Sequence, residues 1–329
     1  MYQILPCQLN AEVPVADRDR PISVGELIAR RHREANLPGL RGDRFRLALI
    51  IEGGSARGVY SHGMVAAIEE LGILPSFDAV YGASAGALSA AWLLCGRARR
   101  AKSAWAPEIV NRVITPARAL RGGVVVDTDY LVHTVYERIV PMDFPAILAN
   151  PVTFHPIATD ADTGAAADLH AELTDPGSIQ AALRASTRLP ILAGRPVHLG
   201  GRRFVDAGLS EAVPVHTART QGATHLLVLR TRRDDETVSR PSALENLIVE
   251  RFLARSAPGA LPAWRTRVQR HRDDDRDFAS DPAVLQIRPP RGAPDIGRID
   301  RGATRLQEAL TLGHAAAARA LSPYSTLML

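Results

Sequence analysis

Short apolar runs bounded by glycine or charge alternate along this chain with stretches whose apolar residues recur at helical spacing. Residues 45–51 (FRLALII) read as a buried strand, and residues 59–71 (VYSHGMVAAIEEL) as the helix that follows. Residues 77–96 (FDAVYGASAGALSAAWLLCG) repeat the scheme with an apolar run, a turn of small residues and an Ala- and Leu-rich helix closed by glycine. Strand-helix-strand-helix in this order predicts parallel strands joined by right-handed crossovers. Residues 103–150 look mostly helical, 151–158 (PVTFHPIA) read as a strand, 159–164 (TDADTG) as a turn and 178–185 (SIQAALRA) as a helix. A loop at 186–196 leads to a hairpin over 198–205 that turns at Gly200 and Gly201. Residues 226–229 (LLVL) read as another buried strand and 300–321 as a helix with Leu and Ala at core spacing. The expected fold class is α/β, three layers (α/β/α) around a mostly parallel sheet, with the site at the carboxyl ends of the strands.

Composition narrows this little. The 329 residues suffice for one large α/β domain, and 46% hydrophobic with 23% charged residues is ordinary for a globular chain. A net charge of +5 is a mild basic bias, which favours approach to anionic membrane surfaces or acidic substrates but reads first as solubility. Cys7 and Cys95 make no disulfide framework, so a reducing, cytoplasmic compartment is expected. The first twenty residues lack a signal-peptide pattern, and the most apolar run, 87–95, is too short to span a bilayer. Residues 1–42 read as a polar N-terminal extension with one helix-like patch at 24–31. Residues 43–329 read as the main domain, with an Arg-, Asp- and Pro-rich variable region at about 231–298. Within that region, Asp273, Asp274, Asp275 and Asp277 lack the glycine turn and distal Glu of a calcium loop and read as a solvated surface segment.

The chemistry concentrates in two turns. Gly82-Ala83-Ser84-Ala85-Gly86 is a G-x-S-x-G between strand and helix, the context in which a serine hydroxyl is held exposed on a sharp turn near a helix dipole's positive end. Ser84 is the candidate nucleophile, and Gly82 and Gly86 let the backbone double back. Gly53, Gly54, Ser55, Ala56, Arg57 and Gly58 follow the first strand and open a helix, an arrangement that turns bare N–H groups inward and suits an oxyanion hole. A dinucleotide-binding loop is the rival, weakened because Ser55 takes the second glycine of G-x-G-x-x-G. Further on, Asp206 ends the hairpin and precedes the small pair Ala207 and Gly208.

In that combination and order the chain resembles the patatin-like phospholipases, whose pattern is G-G-G-x-R-G, then G-x-S-x-G, then D-G-[GA]. Residues 186–190 (STRLP) before the Asp turn and 213–215 (VPV) after it support the resemblance. It implies a patatin-like fold in which Ser84 is the nucleophile, Asp206 its general base, and the N–H groups around Gly54 and Ser55 the oxyanion hole. Ser55 and Ala207 each stand where the pattern has glycine, and a serine fits only if its φ stays negative or the turn tolerates strain. The implied activity is a lipid acyl hydrolase of the phospholipase A or esterase type, working through an acyl-enzyme without metal or cofactor. A lipid or ester substrate is expected and a nucleic-acid partner is not, with peripheral contact to an anionic membrane left open. The alternatives are an inactive lipid-binding protein and an acyltransferase using the same serine.

An exposed Asp is too weak a base, so Asp206 is expected to be buried beside Ser84, where low polarity raises its basicity. A Ser-Asp-His triad is the rival, with His216 or His225 following Asp206 in chain order and His62 in the helix after the glycine loop.

Overall fold

The computed structural model describes residues 22–236, 238 and 241–325, so Cys7 lies outside the described residues. Its strands are β1 (Leu47–Ile51), β2 (Ala79–Ala83), β3 (Thr153–Asp160), β4 (Ala166–Asp168), β5 (Val197–Leu199), β6 (Arg202–Val205), β7 (His225–Leu229) and β8 (Val284–Ile287). Its helices are α1 (Val24–Arg33), α2 (Gly58–Glu70), α3 (Ala85–Leu94), α4 (Pro107–Val113), α5 (Thr128–Tyr130), α6 (Phe144–Ala149), α7 (Pro176–Ser186), α8 (Val215–Thr220), α9 (Ala243–Ser256), α10 (Ala260–Ser280) and α11 (Ala303–Ser325). A π-helical segment, Leu131–Ile139, continues α5.

The sheet runs β5-β6-β3-β2-β1-β7-β8, with β4 paired to β3. The run from β3 through β2, β1 and β7 to β8 is parallel, and β4, β5 and β6 are antiparallel additions. β1 is buried along its whole length because both faces are covered. Leu47, Leu49 and Ile51 join the core of α1, α2, α3 and α11, while Ala48 and Ile50 point to the opposite core beneath α8 and α10. The three-layer α/β/α fold with a mostly parallel sheet is therefore present.

Local rules set the element ends. Ser23 and Glu26 form a capping box at the start of α1, and Asp175 with Pro176 starts α7. Gly200 (φ +55°) and Gly201 (φ +72°) supply the left-handed pair that a two-residue hairpin needs. That hairpin positions the site. β6 runs antiparallel to the projecting end of β3, Val205 opposite Thr159, so its last residues return toward the carboxyl end of β2.

Several boundaries differ from those expected. β3 runs on to Asp160 because its far end gains β4 and β6 as partners. Helix α1 packs into the main core through Leu27 and Ile28. Its buried Arg31 donates to both Asp43 oxygens at 2.8 and 2.9 Å and to Asp78 Oδ2 at 2.8 Å, which ties the helix to the amino ends of β1 and β2. The charged region is built of α9, α10 and β8, the last a short edge strand with no long apolar run to announce it. The Asp run lies within α10: Arg272, Arg276 and Asp277 face solvent as expected, but Asp275 is tied inward, accepting from Arg230 at 2.6 Å and from Arg288 at 3.0 Å.

Candidate active site

Ser84 stands between β2 and α3 with φ +52° and ψ −124°, a left-handed strained conformation that lifts its side chain out of the turn. The turn closes so tightly that a Cβ on Gly82 would lie 2.6 Å from Ala87 Cα, and one on Gly86 would lie 2.2 Å from the Ile51 carbonyl. Only glycine fits at either position. The Ser84 N–H donates to Ser186 Oγ at 2.8 Å, and that hydroxyl donates in turn to the Ile157 carbonyl at 2.5 Å. Ser186 at the end of α7 therefore pins the turn to β3.

Asp206 follows β6, and its Oδ2 accepts from Ser84 Oγ at 2.6 Å. Its Oδ1 accepts from the Gly208 N–H at 2.8 Å, and Thr159 Oγ1 holds its carbonyl at 2.8 Å. Both Ser84 and Asp206 are 4% exposed. Burial pushes the Asp206 carboxyl up to about 6, against the opposing hydrogen bonds from Ser84 and Gly208. At neutral pH it is thus an ionised acceptor with a basicity well above that of an exposed Asp. Ala207 does not adopt a left-handed φ, so the second departure from the motif costs the turn nothing.

The glycine loop passes directly over the serine: a Cβ on Gly53 would lie 3.1 Å from Ser84 Cβ. Its N–H groups divide into two sets. Those of Gly53, Ala56, Arg57 and Gly58 donate within the protein, to the carbonyls of Ala212, Arg298 and Gly54 and, for Gly58, back to those of Ser55 and Ala56. These four expected oxyanion donors are therefore occupied, because the loop curls at once into a 3-10 turn. Among the described residues, the Gly54 and Ser55 N–H groups have no protein acceptor. Ser55 takes the strained alternative, φ +54°, and its hydroxyl donates to the Arg298 carbonyl at 2.6 Å. The Arg57 guanidinium donates to the Ile296 carbonyl at 3.5 Å, and burial pulls it down to about 10.

The loop is anchored by a group that sequence reasoning passed over. Buried Glu52 accepts from Arg230 Nε at 3.0 Å and from the Thr231 N–H at 2.7 Å, and Thr231 Oγ1 donates to the Gly53 carbonyl at 2.9 Å. Burial alone would raise the Glu52 carboxyl, but the charges of Arg230, His271 and Arg232 and the Thr231 N–H together outweigh it, and the pKa falls to about 2. The partners of Ser186, Glu52 and Arg230 are distant in the chain, so no local pattern assigns these three residues their roles. The only cue was the acid directly before the glycines.

Among the described residues no histidine hydrogen-bonds to Ser84 or Asp206, although His271 lines the cleft they open into. His225 is the first residue of β7, at the amino end of the parallel strands, and bonds to the Ile22 carbonyl at 3.0 Å. His216 is exposed on α8. His62 bonds to the Ala98 carbonyl at 3.0 Å, and burial pushes it down to about 4.

Two cavities meet at Ser84. One is a cleft of about 520 Å³ floored by Gly53, Gly54, Ser55, Ser84 and Asp206 and walled by Leu189, Ile248 and Trp264. Arg57, Arg232, Arg267, Arg270 and Arg298 also line it. The region 231–298 is therefore one wall of the site. The other cavity, about 100 Å³, lies beneath α4 and the Leu131–Ile139 segment.

A family model described as patatin-like phospholipase matches residues 49–219. A protein of Escherichia coli K12, named as uncharacterized protein YjjU, is 31% identical over 194 residues, which is 56% of this chain and 52% of the relative. The chain thus spans about half the length of that relative. Among solved structures, VipD from Legionella pneumophila superposes with a TM-score of 0.45 at 12% identity, covering 86% of this chain and 67% of that one.

Proposed function

The chain belongs to the patatin-like phospholipase family, and from that premise we propose that it is a lipid acyl hydrolase cleaving carboxylic esters through Ser84 and Asp206. The carrying observation is the 2.6 Å hydrogen bond from Ser84 Oγ to a buried carboxylate whose basicity is raised. Asp206 takes the hydroxyl proton as Ser84 Oγ attacks the acyl carbon, and negative charge collects on the carbonyl oxygen. The free N–H groups of Gly54 and Ser55 are the donors for that oxyanion, with the α3 N-terminus beside them. Collapse of the tetrahedral species breaks the ester C–O bond and returns the proton from Asp206 to the leaving alcohol. Water then attacks the acyl-enzyme, Asp206 again taking the proton, and releases the free acid and Ser84.

The substrate side of the proposal is a phospholipid or related lipid met at a surface. Leu244, Leu247 and Ile248 of α9 are 66%, 54% and 48% exposed, and Leu244 and Ile248 line the cleft. They form an apolar lip with arginines behind it, suited to a bilayer carrying anionic lipid.

Hydrolysis of p-nitrophenyl esters and of labelled phospholipid vesicles tests the reading in wild type, Ser84→Ala, His216→Ala and His225→Ala proteins. Loss in Ser84→Ala alone is expected; loss in either histidine variant with folding intact would replace the dyad with a triad.

A further inference from the structure

Of the two cavities that meet at Ser84, only one suits a charged or polar group. The cleft carries five arginines and His271 together with Glu52, Asp206, Glu245 and Asp274. The smaller pocket is lined chiefly by apolar side chains, including Leu88, Ala104, Trp105, Ile109, Val113 and Leu131. Its titratable groups are His62 and Tyr136, and burial keeps both uncharged near neutrality by pushing the first down to about 4 and the second upward. A phosphate or ammonium head group moved there would lose its water with no countercharge, whereas a hydrocarbon chain gains from the same transfer. Ser55, which offers one of the two free N–H groups, lines both cavities, so an acyl carbonyl over Ser84 can sit at their junction.

We propose that the pocket beneath α4 and the Leu131–Ile139 segment holds the acyl chain of the ester, while the arginine-lined cleft holds the alcohol portion. This rests on Ser84 being the nucleophile and adds where each half of the substrate lies. Its volume sets a chain-length rule. An apolar cavity of about 150 Å³ accepts a benzene ring, so about 100 Å³ accommodates only the first four or so carbons. Many of the lining side chains, Ala104, Trp105, Ile109 and Leu131 among them, are only half-buried, so longer chains extend past the filled section and gain no further selectivity there.

The experiment is a series of p-nitrophenyl esters from acetate to dodecanoate, all with one leaving group, using wild type, Ala104→Phe and Ile109→Ala proteins. The wild-type kcat/KM is expected to rise about fourfold per methylene up to about butyrate or pentanoate and then level. Ala104→Phe, which fills the pocket, should lower the hexanoate-to-acetate ratio at least about tenfold, and Ile109→Ala should move the plateau outward by about two carbons. A profile that climbs steadily through dodecanoate overturns the assignment, as does a ratio that Ala104→Phe leaves unchanged. Should Ala104→Phe fail to fold, the wild-type profile still decides. Hydrolysis of none of the esters would instead overturn the Ser84 reading, and hydrolysis that survives Ser84→Ala would do the same.

Discussion

The carboxylate of Asp206 has two opposed consequences at the scale of single residues. Its pKa is raised to about 6 by burial, above the ordinary value of 3.8. A carboxyl shifted upward contributes stability that is present in full below its unfolded pKa and lost as pH rises through the folded value. Asp206→Asn should therefore be more stable than wild type above pH 6, by about 3 kcal/mol, with the difference vanishing below about pH 4; chemical denaturation at both ends of this range reads it. The same substitution removes the base, so turnover should collapse while stability increases. Ser186 is the complementary case. Ser186→Ala leaves the buried Ser84 N–H without its acceptor, at a cost of about 1–3 kcal/mol, and frees the turn that holds the hydroxyl. A fall in kcat with KM little changed is the expected signature, because the loss concerns alignment in the transition state.

Among the elements, the tightest constraint is the anchoring of the glycine loop by Glu52 and Arg230, both on strand ends and both almost fully buried. Arg230→Met would strand the Glu52 carboxylate without its partner, and the expected loss is about 3–5 kcal/mol in urea unfolding at pH 7. Glu52 has the opposite sign to Asp206: its depressed pKa gives stability that holds above pH 4.5 and drains away as pH falls toward about 2. At this scale the sequence was most readable where one segment carried its own signal. The β1 and β2 runs, the two glycine turns and the Asp turn announced themselves by composition. What brings Asp206 to Ser84, the bend of β3 past β2 and the return of β6, involves partners far apart in the chain, and no local pattern encodes that pairing. The same holds for β8, whose burial comes from α10 and β7 rather than from its own four residues.

Across the molecule, the charged region at 231–298 supplies a wall of the cleft and its exposed lip. Among the described residues no helix is long and apolar enough to cross a membrane, so contact with lipid on this account is made through α9. Leu247→Glu, on the half-exposed face of α9, should reduce sedimentation with anionic vesicles several-fold while leaving hydrolysis of a soluble ester intact. Equal sedimentation of the two proteins would remove α9 from the lipid contact.

Activation of Ser84 by a buried carboxylate can be read from labelling with a small alkyl fluorophosphonate, followed by intact mass and peptide mapping between pH 4.5 and 8. One adduct on Ser84 is predicted, forming at a rate that falls as pH drops below about 6, absent in Ser84→Ala and strongly slowed in Asp206→Asn. An adduct on another residue, or a labelling rate indifferent to Asp206→Asn, would contradict it.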